Sequence, residues 1–111
     1  MDDVAESDWK LFRKRLPGWQ EGYMEKLVGE YMEILGGEGR ASGRLWTLER
    51  RIRKDKKRLG VMVRDVSRST MRHEIARLAL DGAISLDDLD GFTEDVTDYV
   101  RRCLEPWEAE G

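Results

Sequence analysis

Cysteine and histidine are almost absent from this sequence, which has one of each, Cys103 and His73, in 111 residues. A single cysteine excludes an internal disulfide framework and is typical of a reducing compartment such as the cytoplasm. One cysteine and one histidine are too few for a Cys/His metal cluster. The two could form a nucleophile pair, but Cys103 falls in the middle of an apolar helix face, where a free cysteine is normally an inert core residue. We therefore predict no catalytic residue, no metal and no cofactor.

Long apolar runs are also lacking. No stretch of 18 apolar residues occurs, so we expect no membrane-spanning segment. The first eight residues, MDDVAESD, are acidic and have no apolar centre, which is not the pattern of a secretory signal. Apolar residues make up 40% of the chain and charged residues 39%, against about 25% charged residues in an average domain. With helical periodicity, this composition predicts one helical domain, 1–111, with solvated helix faces and loose termini at 1–5 and 107–111.

The longest apolar-periodic stretch runs from Pro17 to Leu35, PGWQEGYMEKLVGEYMEIL. On a helix its apolar side chains cover about 220° of the surface, whereas a surface helix needs a stripe of only about 100°. We therefore predict a central helix with several neighbours, separated by Pro17 from a shorter first helix that Ser7 or Asp8 caps. Five residues of the central helix are expected to be mostly buried: Trp19, Tyr23, Leu27, Val28 and Tyr31.

Two interior glycines of this stretch, Gly22 and Gly29, fall on its polar side. Each costs about 1 kcal/mol relative to alanine in a helix. Either a neighbouring backbone approaches them closely, or they have no structural role.

The second half of the chain predicts further helices and one extended connector. A glycine-rich loop at 36–43 leads into a helix from Ser42 to about Arg58. Its apolar stripe is narrow and consists of Ala41, Leu45, Leu48, Ile52 and Leu59. The connector 59–66 is expected to bury Val61 and Val63.

The remaining helix boundaries are marked by capping residues. A helix is predicted over 67–81, and Ser85 with Asp88 forms a capping box that starts a short helical segment. The last helix is expected from Thr93, its cap, to Pro106. The predicted fold class is all-α, a compact orthogonal bundle of about five or six helices around the central helix 17–35.

Charge is distributed unevenly along the chain. Residues 1–39 carry five basic and nine acidic side chains, residues 40–77 carry thirteen and four, and residues 78–111 carry two and ten, so the three segments have net charges of −4, +9 and −8. Such asymmetry requires a partner inside or outside the chain. The acidic residues of the last segment, Asp87, Asp88, Asp90, Glu94, Asp95 and Asp98, are typical of a solvated interaction surface rather than of buried catalytic carboxylates.

The basic segment has a distinct face. Residues 50–58, RRIRKDKKR, contain seven basic side chains in nine. Arg50, Arg53 and Lys57 fall on the same helical face as Trp46, and a phosphate backbone with a stacked base would suit such a face. Alternatively, Trp46 packs on a neighbouring element and the charges are solvated or answered by the acidic segment.

Two local resemblances concern the third quarter of the chain. VSRSTMRHEIARLALDGAI (66–84) resembles the recognition helix of winged helix-turn-helix regulators, which implies nucleic-acid contacts by Arg68, Ser69 and Arg72. The expected β-wing is missing, since the acidic SLDDLDGF follows. Asp81 to Asp88 resembles the second half of an EF-hand loop, but Arg77 and Ala79 stand where carboxylate ligands are needed, so we predict no effect of Ca²⁺.

Over most of its length the chain also resembles a group of small bacterial proteins that carry RLPGWQEGYMEKL, the RRIRKDKK run and DGAISLDDLDGF. The resemblance implies no function.

From these patterns we predict a cytoplasmic, non-catalytic interaction protein, an adaptor or a self-associating chain, that uses the basic helix 44–58. Its partner is then an unidentified protein or a second copy in a homodimer, and not a membrane. The alternative is nucleic-acid binding through helix 44–58 and the start of helix 67–81. The candidate binding residues for either hypothesis are Trp46, Arg50, Arg53, Lys57, Arg68 and Arg72.

Overall fold

The computed structural model describes residues 4–62 and 66–110, with side chains as far as 105. Four α-helices occur in these ranges: α1 (Glu6–Gly36), α2 (Ala41–Asp55), α3 (Met71–Leu80) and α4 (Glu94–Glu110). A 3-10 turn, Leu86–Leu89, lies between α3 and α4, and the described residues include no strand. The all-α prediction is confirmed, whereas the predicted five or six helices are not found.

Pro17 does not end a helix, which corrects the predicted boundary. The helix α1 passes through Pro17 without a break and is 31 residues long in total. A proline inside a helix loses one backbone hydrogen bond and costs about 3 kcal/mol. Here the proline ring is exposed, while Leu16 and Trp19 on either side pack into or against the hydrophobic core. This burial requires helical geometry on both sides of Pro17 and outweighs the cost.

The hydrophobic core lies around the first half of α1. Phe12 and Leu16 pack there against α3, the 3-10 turn and α4. The remaining buried core residues are Met71, Ile75, Ala76, Leu78, Ile84, Leu89, Val96 and Val100. We call this part, residues 6–23 and 66–105, the body.

The second half of α1 leaves the body and pairs with α2. These two helices and the loop 37–40 form an antiparallel helical hairpin, residues 24–57. The molecule is accordingly elongated, with extents of 54 × 31 × 21 Å, and is not the compact bundle around helix 17–35 that was predicted. Tyr23 and Leu27 are buried as expected, but Trp19 and Tyr31 are half-buried and Val28 is 50% exposed. The burial prediction fails because a single helix, α2, covers this part of α1.

The first and last helices are fastened together by a residue whose predicted role was different. Ser7 or Asp8 was expected to cap the first helix, but α1 begins at Glu6 after Ala5, without a side-chain cap. Asp8 is instead buried, and its carboxylate accepts hydrogen bonds from the Thr93 backbone N–H (3.0 Å) and the Thr93 hydroxyl (2.6 Å). The start of α4 is thereby held against the start of α1.

Other boundaries agree with the sequence to different degrees. The capping box of Ser85 and Asp88 is present at the 3-10 turn. The helix α3 begins at Met71, after a turn at 68–70, and α4 continues past Pro106. Val61 is half-buried, and the predicted burial of Val63 lies outside the described residues.

The interior glycines of α1 lead to a prediction about stability. A Cβ atom added at Gly22 or Gly29 meets nothing within 4 Å, so no backbone in the described part of the chain approaches them closely. We expect Gly22→Ala and Gly29→Ala each to raise the free energy of unfolding by about 0.5–1 kcal/mol, because alanine loses less backbone entropy in a helix. Urea denaturation measures this change.

Gly60 provides the matched control, since a Cβ atom there would collide with the buried Tyr23 ring. Gly60→Ala should lower the free energy of unfolding. A loss of stability in Gly22→Ala or Gly29→Ala would show that their surroundings are not open.

Candidate functional site

A buried carboxylate, Asp55, joins the two helices of the hairpin. Its side chain is 5% exposed, and the Tyr31 hydroxyl donates a 2.6 Å hydrogen bond to its Oδ2. The Arg51 Nε atom lies 3.5 Å from Oδ2 of Asp55, and the Arg58 Nε atom lies 3.5 Å from Oδ1. Arg51 also pairs with Glu30 at 2.7 Å. These partners compensate for burial of the negative charge. The end of α2 is therefore held to the last third of α1 by polar contacts.

These contacts perturb the neighbouring tyrosine. Burial, together with the hydrogen bond and the charge of Asp55, raises the pKa of Tyr31 to about 12. The Arg51 guanidinium, 5.7 Å from the centre of the Tyr31 ring, acts in the opposite direction. The Tyr31 hydroxyl therefore remains a proton donor to Asp55 over the whole neutral range.

The predicted basic face lies on the outer side of the hairpin. Trp46 is 58% exposed, and Arg50, Arg53 and Lys57 are all exposed. Arg53 pairs with Glu49 one turn earlier at 2.7 Å, with most of its side chain in solvent. All four predicted residues are thus open, although α2 ends at Asp55 rather than near Arg58 as predicted, so that Lys57 lies in the turn after the helix.

The described acidic side chains of residues 81–98 do not cover this face. Asp95 pairs with Arg72, Asp98 with Arg101, and Asp88 with the capping box, all within the body. Among the described residues, one ion pair links the basic run to the chain after residue 77, between Arg58 and Asp81 at 2.8 Å. The charge asymmetry of the sequence is therefore a separation in space, with a basic hairpin and an acidic body.

Arg68 and Arg72, the other two candidate binding residues, lie on the body. Arg68 pairs with Glu6 at 2.7 Å and lies 6.0 Å from the Trp9 ring centre, and Arg72 lies 5.9 Å from the Tyr99 ring centre. Glu6 and the hairpin loop are at opposite ends of α1, which is about 46 Å long at 1.5 Å per residue. The structure therefore does not bring Arg68 and Arg72 together with Trp46.

An apolar face on the hairpin was not predicted as a site. Along one side of α1, exposed residues recur every three or four positions, at Lys10, Lys14, Pro17, Glu21, Glu25, Val28, Met32 and Leu35. The row is mostly charged beside the body and becomes apolar along the part of α1 that pairs with α2. On α2, Leu45 and Ile52 are likewise exposed, and they lie on a different side of the helix from Trp46. We call the five side chains the hairpin face: Val28, Met32, Leu35, Leu45 and Ile52.

The two apolar rows fall on the same side of the hairpin. Contacts of Glu30 and Tyr31 with Arg51 and Asp55 define the directions in which the helices face each other. Successive residues of a helix are rotated by about 100°. The apolar row on each helix is therefore rotated by about a quarter to a third of a turn from the side that faces the other helix. The rotation has the same sense on both helices when each is viewed along its own chain direction. Because the helices are antiparallel, the same sense of rotation turns both rows to one side.

Side chains of the types that form catalytic or metal sites in other proteins are scattered over the described part of the chain. In the described part of the chain no three His, Cys, Asp or Glu side chains are grouped to hold a metal ion. Cys103 is half-buried against the core, and His73 is exposed. Glu74 is buried in the body, where desolvation raises its pKa although Thr70 donates a 2.9 Å hydrogen bond to it. No helix in the described ranges is long and apolar enough to cross a membrane.

The hairpin face and the role of Asp55 were not predicted from the sequence. The sequence signal for the hairpin face was the 220° apolar arc itself. One neighbouring helix cannot cover so wide an arc, so part of the apolar surface stays exposed when the helix has one neighbour. Asp55 was concealed in a run of basic residues. Its position four residues after Arg51 and three before Arg58 is the pattern that marks a carboxylate between two guanidinium groups.

The Tyr31–Asp55 contact predicts a specific alkaline behaviour. The folded pKa of about 12 exceeds the ordinary value of about 10, so the contact stabilises fully below pH 10 and its contribution is lost as pH rises towards 12. We expect Tyr31→Phe to lower the free energy of unfolding by about 1–2 kcal/mol at pH 8. The difference from wild type should shrink between pH 10 and 12 in urea titrations. A difference that is constant with pH would contradict the assignment.

Comparison of the chain with protein-family models, with curated proteins and with solved structures finds no match.

Proposed function

We propose that this chain is a non-catalytic protein-interaction protein that docks a partner on the hairpin face. The observation that carries the proposal is the cluster of large apolar side chains, 37% to 67% exposed, on one side of a projecting hairpin. Single exposed apolar residues are normal on protein surfaces, but a contiguous patch of a few hundred Å² marks an interaction site.

The extent of the face follows from helix geometry. From Val28 to Leu35 it runs about 10 Å along α1, and two adjacent helices are about 20 Å across, which gives about 200 Å². Burying such a surface is favourable by about 25 cal/mol for each Å² of apolar area. Met32, the most exposed of the five at 67%, has the flexible side chain that adapts to an irregular partner surface.

The hairpin is built to present this face in a fixed geometry. The Asp55 contacts join its helices near the body, and the Arg44 guanidinium donates a 2.6 Å hydrogen bond to the Leu35 carbonyl near the loop. Both contacts lie between the helices and leave the face free. A rigid presentation of this kind lowers the entropy lost on binding.

The non-catalytic part of the proposal is supported by the distribution of reactive groups. Cys103 packs against the core, His73 is in solvent, and Glu74 is buried far along the body from the hairpin. None of them adjoins the hairpin face. A half-buried free cysteine also supports the cytoplasm as the place of action.

Nucleic-acid binding by the outer side of α2 is a second candidate. The observation that favours it is that Trp46, Arg50, Arg53 and Lys57 are open, with the acidic segment elsewhere. An exposed aromatic ring among cations suits a stacked base beside phosphates. Arg68 and Arg72 do not support this candidate, because they are engaged within the body.

Site-specific photo-crosslinking tests the docking proposal. A photoreactive amino acid at Met32 should crosslink the protein to a discrete partner in cells that produce it, because this side chain would lie at the centre of the interface. The same amino acid at Leu80, which is 50% exposed on the body, is the control and should not. Equal crosslinking from both positions, or none from Met32, would contradict the proposal.

Salt dependence tests the second candidate. Four phosphate contacts on duplex DNA predict that log affinity falls with log salt at a slope near −3.6, about 0.9 per contact. Arg50→Glu with Arg53→Glu should abolish a gel shift, whereas Lys10→Glu with Lys14→Glu, an equal charge change on the exposed side of the body, should weaken it only slightly. Absence of any DNA or RNA shift at low salt rejects nucleic-acid binding.

A further inference from the structure

We infer that the partner of the hairpin face is a second copy of this chain, packed face to face so that α1 of each copy lies on α2 of the other. The two copies are then related by a two-fold axis that runs along the hairpin. This inference rests on the proposed function, since it names the partner for the same face.

The body leaves that approach open. In the first half of α1 the residues that face the body or are buried in it are Asp8, Phe12, Leu16, Trp19 and Tyr23. On the helical wheel they are centred about 180° from the exposed row that ends in Val28, Met32 and Leu35. The body therefore lies on the side of α1 opposite to the hairpin face. Two faces can meet while both bodies remain on the outside of the dimer.

Charges at one end of the face select the arrangement. Glu25 continues the apolar row of α1, and Lys56 continues that of α2, both exposed. Glu30 pairs with Arg51, and Glu25 is five residues before Glu30 just as Lys56 is five residues after Arg51, so on antiparallel helices Glu25 and Lys56 lie at about the same height, at the end of the hairpin nearest the body. A two-fold axis along the hairpin keeps heights unchanged. It therefore places Glu25 of each copy opposite Lys56 of the other, in two equivalent pairs.

The alternative packing is less favourable. A two-fold axis across the hairpin would place α1 on α1 and α2 on α2, and would bring the two strongly basic helices together. Neighbouring helices are antiparallel in both packings, but with the axis along the hairpin each basic α2 lies beside the second half of α1 in both copies, where residues 24–36 carry three acidic and one basic side chain. This is the arrangement of a four-helix bundle, in which apolar rows interdigitate at helix separations of about 8–10 Å.

Sedimentation velocity with charge-reversal variants tests the inference. The wild-type protein should dimerise within a range from about 1 µM to about 1 mM, which covers ordinary weak to moderate dissociation constants. Glu25→Lys alone and Lys56→Glu alone should each raise the dissociation constant about tenfold, because both symmetry-related pairs become repulsive. An equimolar mixture of the two single variants should recover the wild-type value, since each mixed dimer again has two pairs of opposite charge. A contact within one chain cannot be restored by mixing.

Apolar variants provide the matched comparison. Met32→Lys should raise the dissociation constant about a hundredfold, because the two-fold axis buries the new charge twice. Leu80→Lys, on the body, should leave it unchanged, and circular dichroism melts confirm that each variant is folded. A wild-type chain that is monomeric at every concentration, or mixing without recovery, overturns the inference. If Met32 nevertheless crosslinks to a different protein, the proposed function stands and only the identity of the partner is wrong.

Discussion

The continuity of α1 through Pro17 is the constraint on which the rest of the structure depends. The body packs on residues 6–23 of this helix, about 27 Å of a total of about 46 Å, so the remaining part must find cover elsewhere. Among the described residues, α2 supplies that cover, over one side. The exposed apolar face, the elongated shape and the separation of basic and acidic surfaces all follow from this excess of helix over body.

The hairpin is stabilised differently from the body. The body has an ordinary apolar core, and its first and last helices are joined by the Asp8–Thr93 contact. The hairpin has instead a buried carboxylate with tyrosine and arginine partners, and the five apolar side chains of the hairpin face are exposed, whereas Leu27 is buried. Polar contacts of this kind fix the relative position of two helices without using their apolar surface, which remains available for a partner.

Sequence patterns predicted the helical class, the position of α2, the Ser85–Asp88 capping box and the common face of Trp46, Arg50 and Arg53. All of these depend on neighbours within a few turns of the chain. The path through Pro17 could not be predicted in this way, because it is decided by burial of Leu16 and Trp19 against elements more than fifty residues away. For the same reason the wide apolar arc of α1 was attributed to several neighbours. Periodicity shows how much surface a helix must cover, but not whether its own chain provides the cover.

The central claim is that Met32 is exposed in the isolated chain and covered in the functional assembly. Methionine methyl NMR with a soluble paramagnetic probe measures this directly, because the chain has internal references: Met71 is fully buried and Met62 is 42% exposed. In dilute protein the Met32 signal should broaden at least as strongly as that of Met62. As concentration rises, the account predicts that Met32 becomes protected like Met71 while Met62 remains accessible. A Met32 signal that stays as accessible as Met62 at every concentration, and also in extracts of cells that produce the protein, would contradict it.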